Sequence, residues 1–255
     1  MILIIYYNVY VVSKMNNIQV AERFSKAVKN YQAHAVLQQD IARLLLSKAK
    51  STSMWLDIGA GLSDVLYALP ADKIYAVDLS LLMLFSNRCV DKICADVDDL
   101  PFQSSSIPAI ASNFVLQWSS NLSQSLSQIH RILEDNGQFL FSLPVASSFN
   151  ELKILQNNHM IMMKELPQSE KVLKSMQSLK WKKLQKTTVK KRLFFKTAKD
   201  VLYHFKRTGA NFTTNGSHGL KGKRWYLDII KHLEKYRLPE GIPLTWFIDV
   251  YEVIK

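Results

Sequence analysis

The sequence predicts an α/β protein built on a doubly wound, mostly parallel sheet. Three observations carry that prediction. Asp57-Ile58-Gly59-Ala60-Gly61 closes one apolar strand, and Asp78, 21 residues further on, closes the next. Strand-like and helix-like runs alternate from residue 53 to residue 143, the pattern of βα units whose helices cover both faces of a parallel sheet. The first strand also runs into a turn of small residues, and such a turn followed about 20 residues later by an acidic strand end is the geometry for holding a nucleoside. Glycines let backbone approach the ligand, and the second carboxylate accepts hydrogen bonds from a ribose diol.

Each element has a local reason. Between 18 and 48, Phe24, Ala27, Tyr31, Ala35, Gln38 and Ile41 recur at three or four residues, a helical stripe split in two. Residues 53–58 read as a buried strand, and Ser63 or Asp64 caps a helix running to Leu69. Residues 73–78 are a second strand, and Ser80 caps a helix through Asn87. Residues 90–96 and 109–113 are a third and a fourth strand; Pro108 cannot donate to a ladder, so the fourth starts after it. Residues 122–133 form an amphipathic helix ended by Asn136-Gly137, and 138–143 a fifth strand stopped by Pro144. From 145 to 185 the chain reads as helical, Met-rich and Lys-rich with no strand, the Met160, Met162, Met163 cluster packing it. Strands at 187–195 and 244–254 flank helices at 198–207 and 225–236 and a turn-rich loop at 209–222.

The chain has 255 residues, 48% of them apolar, enough for one compact domain with an insertion. Cys89 and Cys94 have neither zinc-knuckle spacing nor a disulfide framework and read as small buried hydrophobes in a reducing cytosol. Charge is one-sided: residues 1–150 carry 11 Lys+Arg against 12 Asp+Glu, and residues 151–255 carry 22 against 9. A one-sided basic surface implies an acidic partner. Residues 1–12 are apolar and uncharged; they lack the basic start of a signal peptide and are too short to span a bilayer. With Met15 as a second possible start, they read as an upstream-start artefact or a frayed extra segment. No other stretch is long and apolar enough for a membrane span.

Phosphate recognition has little support. No glycine stands where a dinucleotide fingerprint wants its third one, Ser63 following in its place in the turn, and there is no Gly-x-x-x-x-Gly-Lys-Ser/Thr run. A nucleoside without phosphates needs only room and acidic anchors. Asp96-Val97-Asp98 supplies an acceptor for an adenine amino group, and Asn113 ends the fourth strand where the sheet's switch point opens. S-adenosylmethionine fits these anchors better than a nicotinamide dinucleotide does.

Here the motifs become specific. Leu56-Asp57-Ile58-Gly59-Ala60-Gly61, Val77-Asp78-Leu79-Ser80 with Met83, Asp96, and Leu100-Pro101 resemble the ordered motifs of class I S-adenosylmethionine-dependent methyltransferases. Ser112-Asn113-Phe114-Val115-Leu116-Gln117-Trp118, Asn121-Leu122 and His130-Arg131-Ile132-Leu133 before Gly137 are narrower. They resemble the malonyl-acyl-carrier-protein O-methyltransferases that start the pimeloyl arm of biotin synthesis. So do Phe24, Tyr31, His34-Ala35 and Gln38, then Gly209-Ala210-Asn211, Gly219-Leu220-Lys221-Gly222-Lys223, and Pro243-Leu244-Thr245. The resemblance runs from about residue 18 to the end, strongest in the first half. Departures are Ser63 for the usual glycine, Pro108 for the usual acidic residue, and Thr245-Trp246 for Thr-Tyr.

The resemblance implies a seven-stranded Rossmann-like methyltransferase sheet with a helical lid insertion. After an uncertain extension at 1–15, residues 16–255 form a single domain: N-terminal helices at 16–50, a cofactor-binding core at 51–144, the helical lid at 145–186, and C-terminal sheet and helices at 187–255. It implies cofactor contacts by Tyr31, Gln38, Asp57, Gly59, Gly61, Asp78, Leu79, Met83, Asp96, Val97, Asn113 and Phe114. Tyr31, His34, Gln117 and Trp118 are the catalytic candidates at the substrate, orienting or walling in its carboxylate. The implied reaction is methyl transfer to the free carboxylate of a malonyl thioester on acyl-carrier protein, in the cytoplasm, by a monomer. The acidic carrier docks on the basic C-terminal part; the Lys180-to-Arg192 run is its candidate surface. No metal, membrane or nucleic-acid partner is expected. Two readings compete: a methyltransferase on another small carboxylic acid or on RNA, and a non-catalytic S-adenosylmethionine-binding protein.

Overall fold

The computed structural model describes residues 3–6, 9–12, 36–62, 66–158, 165–207 and 223–255. Within them, nine strands make one sheet. They are β1 (Leu3–Tyr6), β2 (Val9–Val12), β3 (Thr52–Ile58), β4 (Ala71–Asp78), β5 (Asp91–Ala95), β6 (Ile107–Asn113), β7 (Leu133–Pro144), β8 (Lys183–Phe195) and β9 (Ile242–Ile254). Their order is β1-β2-β5-β4-β3-β6-β7-β9-β8. From β2 across to β7 every pairing is parallel, whereas β1–β2, β7–β9 and β9–β8 are antiparallel. The chain winds from β3 outward through β4 and β5, then returns to the other side of β3 through β6 and β7. That reversal leaves a crevice at the carboxyl ends of β3 and β6.

Helices cover both faces because each presents one apolar stripe. One face packs α1 (Val36–Leu46), with Leu37, Ile41 and Leu45 buried, against Trp55, Leu140, Leu244, Trp246 and Ile248. Residues of α6 (Ala198–Arg207) and α7 (Lys223–Glu234) join the same cluster. The other face carries α3 (Leu122–Ile132) and, later in the chain, α5 (Ser169–Gln177) over Leu56, Ile58, Ile110, Phe139, Phe141 and Tyr251. Phe141 stacks between Phe139 and Tyr251, with ring centroids 4.6 and 4.4 Å away. The short α2 (Leu81–Ser86) and α4 (Lys153–Asn157) complete the set. Ser80 caps α2, its hydroxyl accepting from the Met83 amide at 3.2 Å, and Asn121 caps α3.

The seven strands read from sequence are all present, with three local corrections. First, β6 starts before Pro108. The β6–β7 register jumps from Ile107↔Leu133 to Ala109↔Gln138, so the residue without an N–H sits at an irregularity, not at the strand's start. Second, Asn136-Gly137 does not end α3. That helix stops at Ile132 with Leu133 as its C-cap, and the Asn136-Gly137 pair bends the first part of β7, Asn136 at φ 66°. The carboxyl-terminal Lys255 holds this bend: Asn136 N donates to its carbonyl at 3.0 Å, and its own N–H donates to Gly137 O at 3.1 Å. Third, β8 begins at Lys183, inside the stretch read as strandless. Within residues 1–12, read as an upstream-start artefact or a frayed extra segment, β1 and β2 pair antiparallel and β2 lies parallel beside β5, where a β-branched and aromatic run suits an edge.

Helical pieces occupy parts of the 145–186 stretch: a 3-10 turn over Asn150–Leu152, then α4 and α5. Met160, Met162, Met163, Ser63, the first half of the 18–48 stripe and the 209–222 loop lie outside the described residues. No described helix is long and apolar enough to cross a membrane.

Candidate active site

The carboxyl ends of β3, β4, β5 and β6 frame an open pocket of about 760 Å³, counting the space at its mouth. It is lined by Gly59, Gly61, Asp78, Leu79, Met83, Asp96, Val97, Asn113, Phe114 and Trp118, all singled out from sequence, together with Val115 and Ser119 among others. Three expected residues stand elsewhere. Asp57 points away from this pocket into a smaller cleft beside Tyr67, Asn87 and Cys89. Gln117 is buried behind the wall, its Nε2 donating to Phe114 O at 2.7 Å. Gln38 meets the site through its main chain, its carbonyl accepting from Asn113 Nδ2 at 2.9 Å. Tyr31 and His34 lie outside the described residues.

The floor is a strand-to-turn transition that needs glycine. Gly59 sits at φ 72°, and a Cβ there would come within 2.0 Å of Val115 Cγ2. Gly61, at φ 49°, is held from both sides. Its amide donates to Asp78 Oδ2 at 2.9 Å, and its carbonyl accepts from Asn87 Nδ2 at 2.7 Å. Asp78 Oδ1 accepts from the Ser80 amide at 2.7 Å. Each Asp78 oxygen therefore keeps lone-pair capacity for a further donor. Burial pushes the Asp78 carboxyl up, and backbone amides of Ser80, Gly61 and Leu79 partly offset this. Asp57, fully buried and near Asp78, is pushed up to about 8, by burial first and the neighbouring carboxylate second. Its Oδ1 has no hydrogen-bond partner among the described residues.

The opposite wall is a strained turn. Phe114 adopts φ 59°, a conformation that bulky residues avoid. It is held there by its amide bonding to Ser142 O at 3.1 Å, by Gln117 on its carbonyl, and by an edge contact with Trp246 at 6.0 Å. The turn faces Phe114, Val115 and Trp118 into the pocket.

Three supports were not legible as such in the sequence. Asn87 clamps Gly61, and its Oδ1 is itself fixed by Tyr67 Oη at 2.7 Å and by the Cys89 amide at 2.8 Å. Arg131, read as a helix-end residue, donates to Phe102 O at 2.7 Å and Leu100 O at 2.9 Å, pinning the loop that follows Asp96. Asp98, read as one of the adenine-side acceptors, does not line the pocket. It accepts from Ser119, Ser120 and Ser125. Burial raises its pKa, but these hydrogen bonds outweigh that and hold it below the usual carboxylate range. It ties the β5 loop to the start of α3. Only the Ser-rich run 119–125 hinted at this.

Asn87→Ala is expected to leave the half-buried Gly61 carbonyl without its donor. A loss of about 1–3 kcal/mol in folding stability should follow, with weaker binding of S-adenosylhomocysteine. Urea titration and calorimetry check both, and a wild-type affinity would remove Asn87 from the site's support.

The site suits an adenosyl ligand on its own evidence. A carboxylate with free lone pairs ends β4, backbone lies bare at the glycine turn, and a second buried carboxylate, Asp96, lies beyond. The comparisons agree. A family described as a methyltransferase domain matches residues 56–141. A malonyl-[acyl-carrier protein] O-methyltransferase of Alcanivorax borkumensis is 29% identical over 258 residues, covering 92% of this chain and 86% of that one. The YcgJ protein of Bacillus subtilis shares the fold with a TM-score of 0.61 at 16% identity, over 84% of this chain and 97% of that one. A phosphoethanolamine N-methyltransferase 2 of Haemonchus contortus, solved with S-adenosyl-L-methionine, gives 0.59 at 15% identity, over 96% of this chain and 60% of that one. The cofactor is S-adenosylmethionine. Residues 56–141 match a methyltransferase domain, and along most of its length the chain is similar to malonyl-acyl-carrier-protein O-methyltransferases.

Proposed function

We propose that the chain transfers a methyl group to the free carboxylate of a malonyl thioester on an acyl-carrier protein, yielding a malonyl methyl ester for the pimeloyl arm of biotin synthesis. One observation carries the choice of acceptor. The ionisable groups among the described residues lining the pocket are Asp78 and Asp96, both of which this reading gives to the cofactor, and the outer wall is the apolar group Phe114, Val115 and Trp118. An acceptor that must lose a proton would want a further base there. A malonyl carboxylate is ionised at pH 7 and needs none.

The bound cofactor supplies an electrophilic methyl on a sulfonium; the carboxylate oxygen forms its C–O bond as the S–C bond breaks, the electron pair staying on sulfur. What the chain contributes is alignment and a dry wall. Holding two reactants in line accounts for roughly 7–11 kcal/mol of barrier in favourable cases. Asp78 and the glycine turn fix one reactant; Phe114 and Trp118 shield the other from water, with Gln117 holding Phe114 in place. Tyr31 and His34 remain candidates to orient the acceptor carboxylate. The reading is of a cytoplasmic monomer, and two free, buried cysteines suit a reducing compartment.

The test is transfer of labelled methyl from S-adenosylmethionine to malonyl-carrier protein, malonyl-coenzyme A, free malonate and bulk RNA. Transfer to the thioesters, carrier-bound first, is expected. Label on RNA alone, or on nothing, would overturn the proposal.

A further inference from the structure

The basic run in the last third of the chain does not form a uniform surface. Residues 180–199 hold nine Lys or Arg and no Asp or Glu, yet the sheet sorts them. At the amino end of β8, Lys182 Nζ donates to Asn136 Oδ1 at 2.7 Å, and Lys183 pairs with Glu252. Lys186 Nζ donates to Ser169 Oγ at 2.7 Å and lies 3.6 Å from the buried Asp249 carboxylate. Lys191 faces Asp40 of α1 at 3.6 Å, on the opposite side of the sheet. Among the described residues, Lys190, Arg192, Lys196 and Lys199 toward the carboxyl end have no carboxylate partner, and neither do Lys180 and Lys182 at the amino end. Lys190 and Lys199 rest over the Phe247 and Tyr203 rings, at 5.6 and 5.4 Å from the centroids.

The topology decides where the carboxyl-end group of cations stands. β8 is antiparallel to β9, which is antiparallel to β7, so β8 points the same way as β6 and β7. Its carboxyl end is thus on the edge where the pocket opens. Asn113 of the pocket aligns across the sheet through Ser142 and Val250 with Thr187. Lys190 and Arg192 lie three and five residues past that row, about 10 and 16 Å further along a strand rising about 3.3 Å per residue. By strand alternation Lys190, Arg192 and Phe194 share one face, and all three are exposed, Phe194 at 41%. β8 is also a sheet edge, which its exposed cations protect from pairing with another strand.

We infer that this overhanging end of β8, centred on Lys190, Arg192 and Phe194 and continuing to Lys196, is the docking surface for the acidic face of the carrier protein. The amino end, where Lys183 and Lys186 already pair with carboxylates and which lies on the edge away from the pocket, contributes little. The inference rests on the acceptor reading above. Charge complementarity names the occupant: a small acidic protein whose tethered thioester reaches from this edge toward the pocket, with Phe194 as an apolar contact amid the charges. A nucleic acid would be drawn by the same charges and is an outcome of the test.

The full-length protein and a Lys190→Glu/Arg192→Glu double variant are compared with Lys180→Glu, a control at the opposite end of the strand. KM for malonyl-carrier protein should rise about tenfold or more in the double variant, with kcat and the KM for malonyl-coenzyme A near wild type. The control should behave as wild type. Calorimetric binding of the carrier protein should fall in parallel and, in wild type, weaken from low to high salt. An unchanged carrier KM, equal losses with both thioesters, or an equal loss in the control would overturn the inference. So would a defect confined to binding of a single-stranded RNA. If wild type methylated neither thioester, the acceptor reading would fail; the calorimetric comparison would still decide the docking surface, since unaltered carrier binding by the double variant refutes it.

Discussion

Asp78→Asn is expected to weaken binding of S-adenosylhomocysteine by roughly 10²–10⁴-fold while the chain stays folded. The carboxylate ends β4 with one oxygen on the Gly61 amide and the other on the Ser80 amide. Each oxygen has capacity for one more donor, and two ribose hydroxyls match that capacity. A hydrogen bond to a charged group contributes about 1.5–3 kcal/mol, so losing two gives the quoted range. Asn also turns an N–H₂ toward one of the two backbone amides, which loosens the glycine turn. Calorimetry reads the affinity, and a urea midpoint close to wild type shows that folding is intact. An unchanged affinity in a folded variant would remove the ribose from Asp78.

The second large effect concerns pH. Asp57 is buried and is pushed up to about 8 from 3.8, by burial first and Asp78 second. In the folded chain it holds its proton through neutral pH; in the unfolded chain it loses it near pH 4. Between those values the native state binds the extra proton, so this group's stabilising contribution falls as pH rises. The loss begins above the unfolded pKa and is complete above about pH 8. A shift of that size corresponds to on the order of 5 kcal/mol across the window. Asp57→Asn has no proton to lose and should flatten the dependence. A smaller slope of the same sign should persist, because Asp78 is also raised. Cys94, pushed up to about 11, does not titrate in this range. Urea unfolding at pH 5 and pH 8.5 should therefore separate wild type from variant more at the higher pH, where the variant is expected to be the more stable. Equal pH slopes for the two proteins would refute the buried neutral carboxyl.

Much of the site was legible because strand ends in a parallel sheet need no long-range guesswork. Once 53–58 and 73–78 are read as neighbouring strands, Gly59, Gly61 and Asp78 must meet on one edge, and Asp96, Asn113 and Phe114 follow from the same rule. The supports were not legible, because their partners come from distant segments. Asn87 looks like the tail of a short helix until its amide is seen on Gly61. Arg131 is one cation among many until it reaches back to Leu100 and Phe102. Asp98 shares its segment with Asp96, yet its neighbours turn it to structural use.

Local rules also misled where tertiary geometry overrode them. Pro108 cannot donate to a ladder, but a register jump lets β6 pass through it. Asn136-Gly137 has turn chemistry, and the turn it makes lies inside β7 because Lys255 pairs across it.

The sequence by itself determined the parallel α/β architecture and the edge on which Gly59, Gly61 and Asp78 meet, while the methyltransferase class came from the resemblance of its motifs. Apolar periodicity, glycine conformation and acidic strand ends act over a few residues and are written in order along the chain. Only the tertiary structure decided which way β8 runs, which of its lysines find carboxylates, and that Asp57 turns away from the pocket that Asp78 enters. Those outcomes depend on strand order and register across the sheet, which bring together residues that no local signal relates.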